Sequence, residues 1–368
     1  MGSDGPLRVA ILWMQLAGYT SACFRALAAE GVDIHLVYAE AASNAPYDVT
    51  RMASGFAGHH WGDAPDEARI EREMESFSPD AILVCSWNVG AYRRVARSMR
   101  GRTLRVLCMD NAWMATPKQW AGVLVSPFVI RPAYDIAFLP GERQAAFARR
   151  LGFSDDQILW GLYTCDHDEF SAPSVDASPV NSTPNSQARF VFVGRLVESK
   201  GADVLAQAYV RYRGLVSDPW PLLVCGVGPL AAAMQGVPGV ELRGFVQPAD
   251  LPLVFHQAAC LVLPSTWEPW GVVVHEATTA GLAVVCTAAC GAASRLVLDG
   301  YNGAVVKAGD HEGLARAMAD ISDADPDSLR TMRARSEELA RQFTPQRWAR
   351  YLVRGIERHR DALALPRP

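Results

Sequence analysis

The sequence has few of the features that mark membrane-spanning, secreted or nucleic-acid-binding proteins. In its 368 residues no apolar run reaches the roughly 20 residues that a helix needs to cross a bilayer. Its formal net charge of −4 provides no basic field to engage nucleic-acid phosphates. The first residues, Met1 to Pro6, lack the charged and then apolar layout of a signal peptide. We therefore expect a cytoplasmic protein that does not bind nucleic acid.

Patterns that bind metals are equally scarce. The eight cysteines are scattered, and the closest pair, Cys286 and Cys290, has no nearby histidine or second cysteine pair to complete a zinc site. Several of the others lie within or beside apolar runs, as buried free thiols do. No pair of aspartates suited to a metal stands out. The sequence therefore predicts free thiols in a reducing compartment, no metal and no other cofactor.

Short apolar runs alternate with amphipathic segments, a pattern typical of parallel α/β units. The strands predicted in the first half are Leu7–Trp13, Asp33–Tyr38, Asp80–Cys85, Leu104–Cys108, Tyr134–Leu139 and Ile158–Leu162. Its predicted helices are Ser21–Glu30, Val89–Arg100 and Glu142–Leu151. The strands predicted in the second half are Arg189–Val193, Pro221–Cys225, Val240–Arg243, Cys260–Leu263, Ala283–Cys286 and Gly303–Val306. Its predicted helices are Ala249–Gln257, Glu312–Ile321 and most of Asp327–His359.

Between the two series, residues 171–188 are rich in Ser, Pro, Asn and Ala, which is the composition of a linker. The chain is also too long for one ordinary core. We therefore expect an α/β fold of two Rossmann-like domains facing across a cleft, residues 1–170 and 189–345. Ligands of such sheets bind beyond the carboxyl ends of the strands.

Two glutamates stand eight positions apart around a Pro-Trp-Gly break. Glu268 precedes the break and would lie in a loop, whereas Glu276 would lie about two turns further on, in a helix that begins near Gly271. A helix start exposes unpaired N–H groups and the positive end of the helix dipole, which can hold a phosphate. Carboxylates accept hydrogen bonds well from paired sugar hydroxyls. The pattern predicts a nucleotide-sugar site, with one glutamate for a transferred sugar and one for a ribose.

Two cations lie in a turn between a predicted strand and a helix. Arg195 and Lys200 can converge on a diphosphate, the first as a planar fork and the second as a point charge. The same cations would stabilise the negative charge that develops when a phosphate leaves. The alternative is a surface pair at a helix start, although a lysine there opposes the helix dipole.

Glycines follow two other strands of the second half. Gly226 and Gly228 permit close approach of the backbone to a ligand, but strand-to-helix turns use the same residues. Gly244-Phe245-Val246 precedes a helix at the position where a nucleobase would lie on main-chain atoms.

Taken in order, these motifs resemble the retaining glycosyltransferases of the family 4 type, also called glycosyl transferases group 1, which have the GT-B fold. The matching segments are Gly194-Arg195-Leu196 with Lys200-Gly201, Gly226–Pro229, Gly244–Val246, Pro264–Gly271 with Glu276-Ala277, and Gly300–Gly303. They cover essentially all of the second half. The resemblance implies a hexosyltransferase that moves a sugar from a nucleoside diphosphate sugar to an acceptor hydroxyl without a divalent metal.

The resemblance also implies a role for each matching residue. Arg195 and Lys200 would bind the donor diphosphate, Glu268 would contact hydroxyls of the donor sugar, and Glu276 would bind the ribose. The rest of the donor site would come from Gly194, Gly226, Gly228, Val246, Pro269, Trp270, Gly271 and Val272. The first half would bind the acceptor, and a C-terminal helix within residues 346–368 would cross back onto it.

The first half departs from the family pattern at its first turn. Members usually carry a glycine-rich turn there, whereas this chain offers Gly18 alone, followed by Tyr19. Trp87 and Asn88 follow another predicted strand. We expect these four residues to line the acceptor pocket, although Trp87 could simply pack.

A second departure concerns a histidine that many members place near the donor sugar. This chain has Asp110 and Asn111 at the corresponding strand end. We expect Asn111 to contact the acceptor and Asp110 to be catalytic, as the group that takes the acceptor's proton. A capping aspartate at a strand end is the alternative.

A dense run of arginines lies between Arg93 and Arg105. A solvated helix face explains it, and docking on anionic lipid or an acidic acceptor is the alternative. We therefore leave open a peripheral contact with the inner face of a membrane. The acceptor would be a small metabolite, a glycan or a lipid-linked sugar.

Two other classes of function compete with a glycosyltransferase. One is a different enzyme on the same two-domain plan, such as a nucleotide-sugar epimerase or a sugar phosphorylase. The other is a catalytically silent nucleotide-sugar-binding protein, for which the missing histidine leaves room. A dehydrogenase is disfavoured because the first strand is not followed by a three-glycine fingerprint.

Overall fold

The computed structural model describes residues 5–40, 48–171 and 188–366. The chain divides into two compact units, which we call the first unit (Met1–Thr164 with Pro345–Pro368) and the second unit (Cys165–Thr344). Residues 165–170, which the sequence analysis placed with the first half, therefore belong to the second unit. Of the predicted linker, residues 172–187 lie outside the described residues.

The first unit is built on a sheet of seven parallel strands. They are β1 (Arg8–Leu12), β2 (Asp33–Ala39), β3 (Ala57–Trp61), β4 (Ala81–Val84), β5 (Leu104–Cys108), β6 (Ile136–Leu139) and β7 (Ile158–Trp160). Their order is β3-β2-β1-β4-β5-β6-β7, so that the direction of winding reverses between β1 and β4. The central strands are buried on both faces, which is why they are continuous apolar runs.

Helices cover this sheet. They are α1 (Gly18–Ala29), α2 (Val49–Ala53), α3 (Glu67–Phe77), α4 (Gly90–Ser98), α5 (Pro117–Val129) and α6 (Glu142–Arg150). The six strands and three helices predicted in this half are confirmed, with ends displaced by up to three residues. The prediction missed β3, α2, α3 and α5. The edge strand β3 is mostly exposed and contains Gly58, so it carries no apolar run.

The second unit repeats the plan with six parallel strands. They are β8 (Phe190–Val193), β9 (Leu222–Cys225), β10 (Val240–Gly244), β11 (Cys260–Leu263), β12 (Ala283–Thr287) and β13 (Gly303–Val306). Their order is β10-β9-β8-β11-β12-β13, and the reversal falls between β8 and β11. All six strands were predicted.

The helices of the second unit include several short ones. They are α7 (His167–Phe170), α8 (Ala202–Arg213), α9 (Leu251–His256), α10 (Val272–Thr279), α11 (Ala293–Leu296), α12 (His311–Ser322) and α13 (Pro326–Ala340). The helix predicted to begin near Gly271 is α10. In the described part of the chain, no helix is both long enough and apolar enough to cross a membrane.

The last helix, α14 (Pro345–Ala362), belongs to the first unit. Trp348, Leu352 and Ile356 recur every fourth residue, and all three are buried in the core of that unit. The Trp348 ring stacks on Phe138 with centroids 6.0 Å apart, and its Nε1 donates to the Leu162 carbonyl at 3.0 Å. This periodic face explains why α14 packs on the first sheet.

An ion pair fixes the end of α14. Arg360 Nη1 lies 2.7 Å from Asp80 Oδ1 and donates to the Asp80 carbonyl at 2.6 Å. Asp80 Oδ2 accepts a hydrogen bond from the Arg8 backbone at 2.8 Å. Both charged side chains are buried, at 7% and 11% exposure, so each depends on the other for compensation.

We expect Arg360→Ala to lower the free energy of unfolding by about 3–5 kcal/mol, because Asp80 would remain buried without a cation. Urea unfolding and hydrogen exchange of the α14 amides would measure the loss. The control is Arg350→Ala, which removes a more exposed pair with Glu30 at 3.3 Å. We expect that variant to lose less than about 1 kcal/mol. Equal losses in the two variants would contradict a special role for the buried pair.

Candidate functional site

The predicted donor residues lie in loops at one edge of the second sheet. Residues 194–201 follow β8, residues 226–228 follow β9, and residues 264–271 follow β11. All three loops leave the carboxyl ends of parallel strands. Because β8 and β11 are the neighbours at which the strand order reverses, this edge has the geometry of a ligand site in a doubly wound sheet.

Hydrogen bonds join the loop after β11 to the loop after β8. The backbone N–H groups of Thr266 and Trp267 both donate to the Ser199 carbonyl, at 3.0 and 3.2 Å. The Thr266 hydroxyl donates to the Glu198 carbonyl at 3.0 Å. These hydrogen bonds therefore hold the two loops together, although the sequence analysis assigned no individual role to the four residues that form them.

Lys200 and Glu268 form an ion pair across the two loops. The Lys200 ammonium contacts Oε2 of Glu268, and Lys200 itself stands in a 3-10 turn, Glu198–Lys200. The Glu268 side chain is 8% exposed and that of Lys200 is 21% exposed. A carboxylate so buried needs a compensating cation. The structure thus brings together one predicted cation and one predicted acid.

The backbone around Glu268 is held by the loop after β12. The Gly291 N–H donates to the Glu268 carbonyl at 3.1 Å. Gly271 has a φ of +91°, and a Cβ there would lie 2.8 Å from Cys290 Sγ and 3.0 Å from Glu268 Cγ. Only glycine meets both conditions. Burial, with a contribution from the Glu268 charge, raises the pKa of Cys290 to about 12, so this thiol stays protonated.

Helix α10 begins directly after that glycine. Gly271 is its N-cap residue, and no side chain of the described residues caps the first turn. The unpaired N–H groups and the positive end of the dipole are therefore left for an anion. Two more polar atoms of the same loop are buried without a hydrogen bond from a described residue, Ser265 Oγ and Trp270 Nε1. Buried atoms of this kind indicate an absent partner such as a ligand or water.

Glu276 lies on α10, and its surroundings disfavour the ionised form of its carboxyl group. Burial, reinforced by the nearby Glu169, raises the pKa of Glu276 to about 7. No hydrogen bond or ion pair to its carboxylate comes from the part of the chain that the structure describes. A half-buried acid whose charge no cation of the described residues compensates is a candidate for ligand binding.

Arg195 follows β8 and is exposed. Within residues 5–40, 48–171 and 188–366 its guanidinium forms no ion pair and no hydrogen bond. It is available to an anion, whereas Lys200 is engaged with Glu268. The structure does not place Arg195 in contact with either predicted glutamate.

The glycines after β9 lie against the loop after β8. A Cβ at Gly226 would lie 1.8 Å from the Gly194 carbonyl oxygen, and one at Gly228 would lie 2.3 Å from that of Leu196. Close approach is needed here between two loops of the protein itself. Val246 follows β10 at the same edge of the sheet and is half-buried. Their predicted contacts with a donor remain predictions.

In the first unit, Asp110 lies in a small polar cluster. The Tyr163 hydroxyl donates to Asp110 Oδ2 at 3.2 Å, and its ring meets that of Tyr19 edge-on at 5.4 Å. Burial, followed by the Asp110 charge, raises the pKa of Tyr163 well above its usual value. The sequence analysis missed Tyr163, whose only signal is its place directly after the last strand of the first half.

The other predicted acceptor residues are less closely connected. Trp87 packs on α5, where a Cβ at Gly122 would lie 3.3 Å from the indole ring. Asn88 is exposed and its backbone N–H donates to Ser86 Oγ at 3.1 Å. Gly18 opens α1, and Asn111 is half-buried beside Asp110.

The arginine run does not form one cationic face. Arg93 donates to the Trp87 carbonyl, and Arg94 pairs with Glu67. Arg105 is buried and pairs with Asp135 at 2.5 Å. Arg93, Arg94 and Arg105 are therefore engaged inside the first unit, whereas Arg97 and Arg100 are exposed and form no side-chain hydrogen bond or ion pair with a described residue.

A buried histidine pair braces α10 in the second unit. His167 Nε2 and His275 Nε2 are 3.2 Å apart, and Cys165 Sγ lies 3.1 Å from Thr279 Oγ1. Burial lowers the pKa of His275 to about 3 and also lowers that of His167. Both imidazoles are therefore neutral at pH 7.

Two groups of described residues could hold a metal ion by their donor types. One is Cys165 with the histidine pair, and the other is His35, His59 and Glu73. In the second group both imidazoles lie 2.9 Å from Glu73 Oε2, and Arg69 lies 2.9 Å from Oε1. His35 and Arg69 thus already engage Glu73, whereas His59 Nδ1 forms no hydrogen bond with a described residue.

Comparison with known proteins finds a family model that matches part of the chain. Residues 176–342 match the family Glycosyl transferases group 1. The chain is similar to the D-inositol 3-phosphate glycosyltransferase of Jonesia denitrificans, with 24% identity over 394 residues, covering 93% of this chain and 90% of that protein. It is also similar to the glycogen synthase of Mycobacterium tuberculosis, with 29% identity over 163 residues, covering 42% of this chain and 39% of that protein.

Solved structures share the fold over nearly the whole chain. Sucrose-phosphate synthase from Thermosynechococcus elongatus matches with a TM-score of 0.75 and 17% identity, covering 96% of this chain and 100% of that one. Anabaena HepE in complex with UDP and glucose matches with a TM-score of 0.72 and 16% identity, covering 94% of this chain and 99% of that one. These likenesses confirm the predicted GT-B fold class of two Rossmann-like domains.

The histidine pair predicts how stability depends on pH. An unfolded histidine titrates near pH 6.5, whereas His275 titrates near 3 when folded. The contribution of the neutral His275 to the free energy of unfolding is therefore fully present above pH ~6.5 and is lost as the pH falls toward 3. We expect a slope of up to about 1.4 kcal/mol per pH unit from His275, measured by urea unfolding between pH 7 and pH 5.

The control is His60→Asn, since the His60 side chain is 55% exposed. We expect His275→Asn to flatten the pH dependence and His60→Asn to leave it unchanged. Identical pH slopes for the two variants would show that the buried imidazole does not govern the loss.

Proposed function

We propose the activity of this chain from the premise that it belongs to the glycosyl transferases group 1 family, through residues 176–342, and is a glycosyltransferase. It transfers a hexosyl group from UDP-sugar to an acceptor hydroxyl, with retention of configuration and without a divalent metal. The observation that carries this proposal is the Lys200–Glu268 pair beside the uncapped start of α10. One edge of the sheet thereby offers positive charge for a diphosphate and a carboxylate for hydroxyls.

The nucleotide is assigned to uridine diphosphate from the ligand of a similar structure and from the environment of Glu276. The similar structure of HepE was solved with UDP and glucose. The group that would bind the ribose in this chain is Glu276. Its carboxylate has no cation among the described residues and titrates near pH 7, so two hydroxyl donors would stabilise its charged form.

Positive charge for the leaving group comes from the protein itself. Arg195 forms no ion pair with a described residue, and no described side chain caps the first-turn N–H groups of α10. Lys200 lies at the same edge of the sheet, paired with Glu268. As the bond between the sugar and the phosphate breaks, its electron pair stays on the phosphate oxygen, and these groups stabilise that charge. This supports a mechanism that needs no metal.

Glu268 is better suited to orient the sugar than to attack it. Its carboxylate is already paired with Lys200, and this contact reduces its nucleophilicity. We therefore assign Glu268 to hydrogen bonds with sugar hydroxyls. The acceptor oxygen would attack from the side of the leaving phosphate, and the departing phosphate oxygen would take the acceptor proton. That geometry retains the anomeric configuration.

The acceptor is assigned to the first unit. Asp110 receives a hydrogen bond from Tyr163, beside Tyr19, at the carboxyl end of β5. We assign these three side chains to positioning the acceptor hydroxyl. A silent nucleotide-sugar-binding protein is the second candidate, because Asp110 stands after β5 where many family members place a histidine near the donor sugar. Measuring hydrolysis of UDP-glucose without acceptor would separate the two, since a binder would leave the donor intact.

Arg195→Ala should lower kcat at least about a hundredfold while leaving the acceptor KM nearly unchanged, because its partner charge develops only as the donor bond breaks. Steady-state kinetics of donor turnover would measure both constants. Arg243→Ala is the matched control, since Arg243 lies near the carboxyl end of β10 in the same sheet but pairs with Glu241 at 3.1 Å. An Arg195→Ala enzyme with unchanged kcat would exclude the role in leaving-group stabilisation.

The donor can be identified by thermal shift with UDP-, GDP-, ADP- and dTDP-sugars. A ligand at one hundred times its Kd stabilises the folded state by about 2.7 kcal/mol, so the preferred nucleotide will give the largest shift in Tm. We expect UDP-sugars to do so, and the absence of a shift with every nucleotide would contradict a donor site.

Glu276→Gln provides the matching test of the ribose contact. Because the folded pKa of Glu276 is about 7 against 4.5 in a free side chain, burial of its charge destabilises the apo protein above pH 4.5, fully so above pH 7. At pH 8 the variant should therefore have a higher apo Tm than the wild type but a smaller shift with UDP-sugar. An unchanged donor affinity would exclude the contact.

A further inference from the structure

Helix α5 of the first unit presents its largest apolar side chains to solvent. Trp120, Leu124 and Phe128 recur every fourth residue and therefore lie on one face. Their exposed fractions are 52%, 74% and 76%, and Leu124 and Phe128 are the most exposed large apolar residues of the described chain. Val125, at 42%, extends the same surface. We call these four residues the α5 face.

The fully buried residues of α5 are small, and Val123 and Val129 are partly buried against the core of the first unit. Gly122 lies against the Trp87 ring, and the buried Ser126 donates its hydroxyl to the Leu151 carbonyl at 2.6 Å. A surface helix of a globular protein normally buries its large apolar residues and exposes its polar ones. Helix α5 does the reverse, so its pattern is not explained by packing in the first unit.

An apolar surface of this size indicates an interaction site. The kind of partner follows from the surrounding charges. Residues 111–134 contain no acidic residue, in a chain whose net charge is −4, and their only cations are Lys118 and Arg131 at the two ends of α5. Lys118 is exposed, whereas Arg131 is half-buried and stacks on the Phe153 ring. An apolar surface with an exposed cation at its start and no acid in its segment complements an anionic lipid surface.

Aromatic side chains occupy the end of α5 nearest Lys118. The rings of Trp113 and Trp120 meet edge-on at 5.1 Å, and the Arg150 guanidinium lies 4.7 Å from the centre of the Trp113 ring. Met114, 55% exposed, stands beside them. Indole rings next to cations are the composition that favours the level of the lipid headgroups.

The length of α5 limits how it can lie relative to a lipid bilayer. Thirteen residues of α-helix extend about 20 Å, whereas the hydrocarbon core of a bilayer is about 30 Å thick. Helix α5 can therefore lie along a membrane surface but cannot cross it.

We propose that α5 docks the first unit on an anionic lipid bilayer, with Trp120, Leu124 and Phe128 inserted below the headgroups and Lys118 among the phosphates. The inserted face lies on a different helix from the arginines between Arg93 and Arg105, which belong to α4 and the segment after it.

Docking through α5 also bears on the acceptor, and this part rests on the proposed function. The Gln119 side chain donates to the Ala112 carbonyl and accepts from the Met114 N–H, both at 2.7 Å. These bonds fasten α5 to the loop that begins at Asp110. A membrane bound to α5 therefore holds the acceptor residues close to its surface, which selects an acceptor carried on a lipid.

Flotation of the full chain with lipid vesicles tests the docking without donor or turnover. We expect binding to vesicles of phosphatidylcholine mixed with phosphatidylglycerol, and weaker binding to phosphatidylcholine alone. Leu124→Gln with Phe128→Gln should lower the partition coefficient at least about tenfold, because inserting even one such side chain is worth about that factor. Lys118→Glu should weaken binding to the anionic vesicles only.

The matched control is Val210→Gln with Leu253→Gln, which removes two exposed apolar side chains, at 57% and 65%, from the second unit. Both double variants replace exposed residues and should keep the wild-type Tm and the wild-type shift with UDP-sugar. Loss of vesicle binding with an intact nucleotide shift therefore supports docking independently of the proposed function.

Three results would overturn the proposal. The wild type would fail to float with anionic vesicles, or the control variant would lose as much binding as the α5 variant. Alternatively, sedimentation would show a dimer that Leu124→Gln with Phe128→Gln converts to a monomer, without vesicle binding by the wild type. In that case the α5 face is covered by a second copy of the chain.

Discussion

The ion pair between Lys200 and Glu268 is the interaction on which the candidate site depends. It joins the loops after β8 and β11 at the place where the sheet reverses its winding, and it makes the burial of a carboxylate tolerable. On the proposed function, a diphosphate would compete for Lys200 and release part of the Glu268 charge to the sugar hydroxyls. A site that is neutral when empty can thus become complementary to both ends of its donor.

Buried charges serve opposite purposes in the two units. In the first unit Asp80 is surrounded by donors, because Arg360 and the Arg8 backbone both contact it, and the result is a fixed C-terminal helix. In the second unit Glu276 is buried near another acid, and its pKa rises to about 7. The first arrangement stabilises the fold, whereas the second lowers stability in exchange for a group that a ligand can satisfy.

The sequence was sufficient for the fold because parallel strands buried on both faces are continuous apolar runs. It failed for β3, which is an exposed edge strand, and for α5, whose apolar residues face solvent instead of the core. Glu268 and Lys200 were singled out by their residue types and by their positions after predicted strands, and the structure brings these two side chains together. The sequence could not reveal that these two side chains pair, nor that Tyr163 contacts Asp110, because such contacts depend on loop geometry that no local pattern encodes.

The return of α14 to the first unit has a consequence for synthesis of the chain. Trp348, Leu352 and Ile356 complete a core whose other members come from the beginning of the chain. On the ribosome, the second unit has all of its residues once Thr344 has emerged, while the first must wait for the last helix. The unit that is translated first therefore completes its fold last. Until α14 has emerged from the ribosome, that unit exposes an apolar surface that a chaperone could recognise.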